Sequence, residues 1–483
     1  MISIDVLPDD VLLEIFDFHV VAQGPLRLEK GEIEAWLSLV HVCRRWRSVV
    51  FGSSRRLNLR LVCSSKTPVR DTIDMWPELP LYIKAENAYY LRDKEGVDNV
   101  VAALERRDRV DEIRLSSYDD SAMEKVFAAM QVTFPELINL QIKRRSYREL
   151  GTVLPDSFLG GSAPRLRSLH LSHIPFPGLP KLLLSATHLV NLTLRDIPHS
   201  GYFSPESMAT ALSTLTGLES LSLRFQFPQS RPDQESRRPP PLIRPVLPIL
   251  AILVFKGDSE YIDDLVSRID APRLNELNIT FFNQIFFETP QFIQFISRTP
   301  RLKALEEAHV AFESGTASVR LTARSGSLRV EVRCIEFDWR VSSIEQVCNW
   351  CLPPLSTLED LYILAPFWKP DWRDSIENSL WLELLQPFTA VKNLYLSKKL
   401  APYIVPALQE LAGGRQTEVL PILQNIFLGR LEPSGPVQEG IEKFVGTRQD
   451  PIAVNRWEGD QRDGESDEDE LSDQDNKIIP VDD

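Results

Sequence analysis

Apolar positions recur along most of this chain in one phrase, L-x-x-L-x-L. Copies stand at Val110-Ile113-Leu115, Leu137-Leu140-Ile142, Leu166-Leu169-Leu171, Leu189-Leu192-Leu194, Leu218-Leu221-Leu223, Leu250-Leu253-Phe255 and Leu274-Leu277-Ile279. Later ones are Leu358-Leu361-Ile363, Val391-Leu394-Leu396 and Leu423-Ile426-Leu428. Starts are 23 to 33 residues apart, except in a blurred stretch between Leu302 and Leu358. There Leu302-Leu305 is a partial copy and Leu328-Val330-Val332 a degenerate one. Alternation within each copy predicts a short strand, and the residues between copies predict a helix or turn. One such unit cannot bury its own apolar face, so neighbours must stack into a solenoid. The alternative is an ordinary α/β domain with leucine-rich strands.

The first 62 residues follow a different period. Leu7-Pro8-Asp9-Asp10 reads as a helix start, because proline suits the first turn and acids suit the positive end of the helix dipole. Val11, Leu12, Ile15 and Phe16 are expected on one helical face. Gln23-Gly24-Pro25 interrupts the pattern. Trp36, Leu39, Val40, Cys43, Trp46 and Val50 then recur at steps of three and four, opposite Arg44, Arg45 and Arg47, until Gly52-Ser53-Ser54. Leu57–Leu61 alternates like a strand. The expected organisation is a helical module at 1–62, a connector at 63–109 and the solenoid at 110–450. A Pro- and Arg-containing loop is inserted at 226–248, and a disordered tail follows at 451–483.

Charge sharpens this division. Of the net −14, the tail from Pro451 carries −9, with 12 acids against 3 bases. The nearly neutral remainder lacks the basic footprint of a nucleic-acid binder. Five scattered cysteines form no disulfide framework and predict reduced thiols, hence a cytoplasmic or nuclear setting. MISIDVLPDDVLLEIF has no basic leader. The longest apolar run, Val246–Phe255, is about half of a ~20-residue membrane span, so no membrane role is expected.

Few residues suggest chemistry. No glycine-rich nucleotide loop occurs. Cys348-Asn349-Trp350-Cys351 is one C-x-x-C where zinc would need two more ligands, so two buried thiols are the expected reading. His170 and His173 share a repeat without an evident nucleophile. No catalytic constellation, metal or cofactor is expected. The position just after the repeat motif holds Lys143, Ser172, Arg195, Arg224 and Lys256 in successive copies. On strands stacked ~4.8 Å apart these would form a positive column. With His170, Lys143, Arg195, Arg224 and Lys256 are the candidate surface for an acidic or phosphorylated protein substrate. A solvated charge face is the alternative.

LPDDVLLEIF followed by LVHVCRRWRSVV resembles the F-box, through Leu7-Pro8, Ile15-Phe16, Val42-Cys43 and Trp46. The resemblance is nearest to F-box-like proteins of mushroom-forming (basidiomycete) fungi, in which HVCRRWRSVVF before an LNLRL strand is a familiar run. The gap before Val42 is about a dozen residues longer than in a compact F-box, with the extra residues at Val21–Gly31. The resemblance implies a mixed α/β chain: a small all-α F-box module followed by an α/β leucine-rich-repeat solenoid, or horseshoe. It also implies that Leu7, Pro8, Ile15, Val42, Cys43 and Trp46 bind the Skp adaptor and, through it, a cullin, while the repeats hold a protein substrate. A small three-helix unit cannot bury all of these on itself, and a leftover apolar face is a partner site. The expected function is therefore a non-enzymatic substrate receptor of a ubiquitin ligase. The alternative is a repeat scaffold without a degradative role.

Overall fold

A computed structural model of the chain describes residues 7–22, 35–86, 94–145, 153–228, 241, 243–284, 287–303, 305–365, 376–411, 419–429, 435–448 and 451–457. The chain divides into two compact units, Met1–Ser220 and Leu221–Asp483.

The first unit opens with three helices, α1 (Asp9–Ala22), α2 (Ala35–Val40) and α3 (Arg44–Gly52). Asp9 and Asp10 occupy the first turn of α1, and the Leu12 N–H closes it on the Pro8 carbonyl at 3.0 Å. The expected apolar face of α1 is split: Leu12 and Phe16 are buried, whereas Val11 and Ile15 face water. At 100° per residue those pairs lie on adjoining edges of the helix, and only one edge meets α2 and α3. Trp36 reaches the body behind the module. Its indole N–H donates to the Arg60 carbonyl at 3.2 Å, and its ring packs edge-on against Phe51 and Trp76.

Six strands follow in this unit: β1 (Leu61–Ser64), β2 (Leu81–Ala85), β3 (Val110–Ser117), β4 (Asn139–Arg144), β5 (Ser168–Ser172) and β6 (Asn191–Ile197). They run parallel in chain order. The stack thus begins at Leu61, and the expected connector already contains two strands. In β2 the alternation of Leu81, Ile83 and Ala85 buries the face that the leucine phrase buries elsewhere. Leu57 and Leu59 are buried, as their alternation requires, but both precede β1, Leu57 in a turn and Leu59 in irregular backbone. The repeat leucines meet in register. Ile113, Leu140, Leu169 and Leu192 form one buried row, and Leu115, Ile142, Leu171 and Leu194 a second. Each such side chain contributes ~1.5–3 kcal/mol by leaving water.

The second unit holds β7 (Ser220–Phe225), β8 (Ile252–Gly257), β9 (Glu276–Phe281), β10 (Glu307–Glu313), β11 (Thr316–Ala323), β12 (Gly326–Arg333), β13 (Asp360–Leu364), β14 (Asn393–Leu396), β15 (Asn425–Gly429) and β16 (Ala453–Trp457). Their order is β7-β8-β9-β12-β11-β10-β13-β14-β15-β16. The blurred stretch of sequence is an antiparallel meander, β10-β11-β12, inserted between β9 and β13. Two-residue connections at Ser314-Gly315 and Arg324-Ser325 replace the helical crossovers, and Gly315 supplies the φ of 80° that its turn requires. Leu328, Val330 and Val332, the degenerate copy, are the buried face of β12. β16 lies where a tail was expected, because Ala453–Trp457 pairs in parallel with β15. Residues 458–483, most of the 226–248 loop and most of the Val21–Gly31 insertion lie outside the described residues.

Candidate functional site

On the N-terminal module, Pro8, Val11, Ile15 and Phe18 succeed one another at steps of three and four and are all exposed, Phe18 by 75%. That spacing lays them along one stripe of α1. Val42, in the turn before α3, is 58% exposed. Arg45 fixes the mouth of α1. Its guanidinium donates to the Leu7 carbonyl at 2.5 Å and pairs with Asp9 at 2.7 Å. Cys43 caps α3 by accepting the Trp46 N–H at 3.4 Å, and Trp46 lies half-buried against Phe16. Of the six residues expected to meet an adaptor, Pro8, Ile15 and Val42 are thus open to solvent. Leu7, Cys43 and Trp46 are half-buried and hold the surface in shape. Val11 and Phe18 join the surface although the sequence reading passed them over. Their signal was the i, i+4, i+7 spacing of positions 11, 15 and 18.

In the first unit Lys143, Ser172 and Arg195 are in register on β4, β5 and β6. His170 lies two residues back along the strand, between Gln141 and Thr193. Its Nε2 is buried with no hydrogen-bond partner among the described residues. Burial first, then the positive fields of Lys143 and Arg195, lower its pKa to about 4. Ser172 is buried where the column needs an exposed residue, and its Oγ lies 3.2 Å from Nδ1 of His173. His173 approaches Asp196 at 3.7 Å. Arg224 and Lys256 belong to the second unit, where Lys256 stands 5.6 Å from the centre of the Phe282 ring. Within the first unit the structure thus groups Lys143, His170 and Arg195.

The second unit holds a feature the sequence reading missed. His309, Tyr362, Tyr395 and Phe427 are in register on β10, β13, β14 and β15. Their rings stack at 4.3, 4.1 and 4.4 Å, within 10° of parallel. A polar row runs beside them, with Asn393 donating to Asp360 and Asn425 to Asn393. Burial pushes both tyrosine hydroxyls above their ordinary pKa. The signal was an aromatic residue between the last two apolar positions of three successive repeat copies: Tyr362, Tyr395 and Phe427.

The cysteine pair offers no such surface. Cys348 and Cys351 are buried, and the Cys351 thiol donates to the Phe287 carbonyl at 2.7 Å. Burial pushes the Cys351 thiol up to about 12 and raises Cys348 as well. Among the described residues no cluster of three or more His, Cys, Asp or Glu could hold a metal, and no helix is long and apolar enough to cross a membrane.

The F-box-like family matches residues 4–60. No curated protein matches the chain. Among solved structures the chain is similar to that of the leucine-rich repeat-containing protein LegL7 from Legionella pneumophila. The identity is 11% and the TM-score 0.27, over 81% of this chain and 99% of that one. The chain thus carries an F-box-like domain at its N-terminal end, followed by α/β repeats built on the leucine phrase.

Proposed function

We propose that this chain is the substrate-receptor subunit of a Skp–cullin–F-box ubiquitin ligase. The observation that carries the reading is the apolar stripe Pro8, Val11, Ile15 and Phe18, with Val42 beside it, exposed on a domain of the F-box-like family. F-box domains generally bind Skp adaptors, and each aliphatic or aromatic side chain buried there would contribute ~1.5–3 kcal/mol before association costs. The repeats would hold a protein substrate, with Lys143, His170 and Arg195 as one contact surface. Ubiquitin transfer would then follow from effective concentration, and the chain itself would need no catalytic residue. The run HVCRRWRSVVF supports a basidiomycete source.

The test is co-purification of the Skp adaptor and cullin with the full chain. Wild type should recover both. Leu7→Ala/Pro8→Ala and Ile15→Asp/Phe18→Asp should lose both while the chain stays folded, as a cooperative melting transition shows. Recovery of neither by wild type overturns the proposal. Recovery of the adaptor without cullin favours the scaffold reading.

A further inference from the structure

The ladder His309-Tyr362-Tyr395-Phe427 does not end in open solvent. Trp457, the last described residue of β16, lays its indole against the middle of the stack. Its ring centre lies 5.5 Å from that of Tyr395 and 5.8 Å from that of Tyr362, inclined at 65° and 55°. Its register partner on β15 is Gly429. The strand that carries Trp457 is weakly held. Ala453, Val454, Asn455 and Arg456 are all exposed, and β16 pairs with β15 alone. Few apolar contacts oppose its opening, so the indole is a removable occupant.

The other end of the row is charged. In register beyond His309 stands Arg320 on β11, and beyond it Arg329 on β12. Arg329 lies 3.3 Å from Glu331. Arg320 is exposed and forms no ion pair among the described residues. The two carboxylates beside the ladder are engaged, Glu307 near His309 and Thr322, and Asp360 with Asn393. From Arg320 to Tyr395 is three strand steps, about 14 Å at the usual interstrand distance. An extended peptide covers that span in about four residues. In sequence Trp457 is itself followed by acids, Glu458, Asp460 and Asp463.

We propose that the ladder and Arg320 form a binding site for an extended peptide segment that pairs an aromatic side chain with a carboxylate about four residues away, and that Trp457 holds the aromatic position in the free protein. The site goes deeper into the receptor reading, since it names the class of partner segment the repeats would take, and it rests on that reading for its biological use. The aromatic rings of Tyr362 and Tyr395 receive the incoming ring, which gains edge-on contact as Trp457 does. Arg320 receives the carboxylate as a charge-assisted pair.

The experiment needs neither adaptor nor cullin. A fluorescently labelled peptide copying residues 455–463 is titrated into the full chain and followed by anisotropy. Trp457→Ala should bind it at least about tenfold more tightly than wild type, whose own indole competes. In the Trp457→Ala background, Tyr395→Ala and Arg320→Glu should each weaken binding about tenfold, whereas Tyr395→Phe should retain it. Melting temperatures close to that of the parent identify variants that remain folded. No binding to folded Trp457→Ala overturns the proposal, as does equal binding of a peptide with alanine in place of tryptophan. Equal binding of a peptide with lysines in place of its acids overturns it as well, since the site is defined by the pairing of ring and carboxylate. If wild type still recovers adaptor and cullin while the peptide fails, only this site falls; the converse leaves the site and removes its use in a ligase.

Discussion

The rings of Phe16 and Trp46 meet with centres 4.7 Å apart at 57°, which joins α1 to α3 while Ile15 and Val42 stay in water. One helix therefore presents a packed edge and an exposed apolar edge a single residue apart. Substitutions at neighbouring positions should divide by effect. Phe16→Ala removes a buried ring and should cost ~3–5 kcal/mol of stability. Ile15→Asp should shift stability by less than ~1 kcal/mol yet abolish adaptor recovery. Denaturant unfolding beside co-purification separates the two; equal loss of stability would put Ile15 in the core.

The repeat rows predict uniform costs. Leu169 and Leu361 are each buried in the middle of a row, one in each unit. Leu→Ala at either should cost ~2–5 kcal/mol. Urea unfolding of each variant measures it, and a change below 1 kcal/mol at either position would show that its row tolerates a cavity.

His170 makes stability depend on pH. Its pKa in the folded state is about 4, below the ordinary value near 6.5 for the unfolded chain. The unfolded state takes up the proton first as pH falls. The contribution is therefore fully present above ~6.5 and is lost between ~6.5 and ~4, by up to about 3 kcal/mol. His170→Gln should flatten this part of the stability profile, and the imidazole signal in an NMR titration should not move above pH ~5. A midpoint near 6.5 would remove the effect.

Lys143→Glu with Arg195→Glu should raise the His170 midpoint by reversing both fields that lower it. The same double variant should release any acidic partner captured by the first unit. The midpoint is read by NMR even when no partner is in hand.

Thiol labelling should be ordered. Cys43 is half-exposed, while Cys63, Cys334, Cys348 and Cys351 are buried. Mass spectrometry after brief alkylation of native protein should find label at Cys43 first. The buried thiols should react only on unfolding, and most slowly at Cys348 and Cys351, where burial holds the thiolate form away. Early label at Cys351 would mean that its bond to Phe287 opens readily.

Strands were legible where each apolar side chain must find its counterpart in the next repeat. Leu140, Leu169 and Leu192 announce themselves because the stack admits little else. The meander was not, since Leu328, Val330 and Val332 alternate like any strand and two-residue turns leave almost no sequence between partners. The exposed apolar edge of α1 was half legible: helical spacing placed Ile15 on the helix, but only packing against α2 and α3 decided that Val11 and Phe18 would be left outside. The aromatic ladder was written in plain view at 362, 395 and 427. It stands two positions before the one just after the motif, where the charges of the earlier repeats fall. Of the column just after the motif, the register of Lys143, Ser172 and Arg195 followed from the repeat spacing, whereas the burial of Ser172 depends on packing that sequence order does not show.

The meander between β9 and β13 also settles a matter of polarity. Its two hairpin reversals cancel, so β10 and β12 both point the way β9 and β13 do, and only β11 opposes them. A lineage could gain or shed both reversals together as a cassette and leave every later repeat right side up. The loss of a single strand would deliver the chain to the wrong end of the sheet, with each helix after it on the wrong side of its connection. Change here can come only in even numbers of turns, while the helical repeats on either side remain free to be added one at a time.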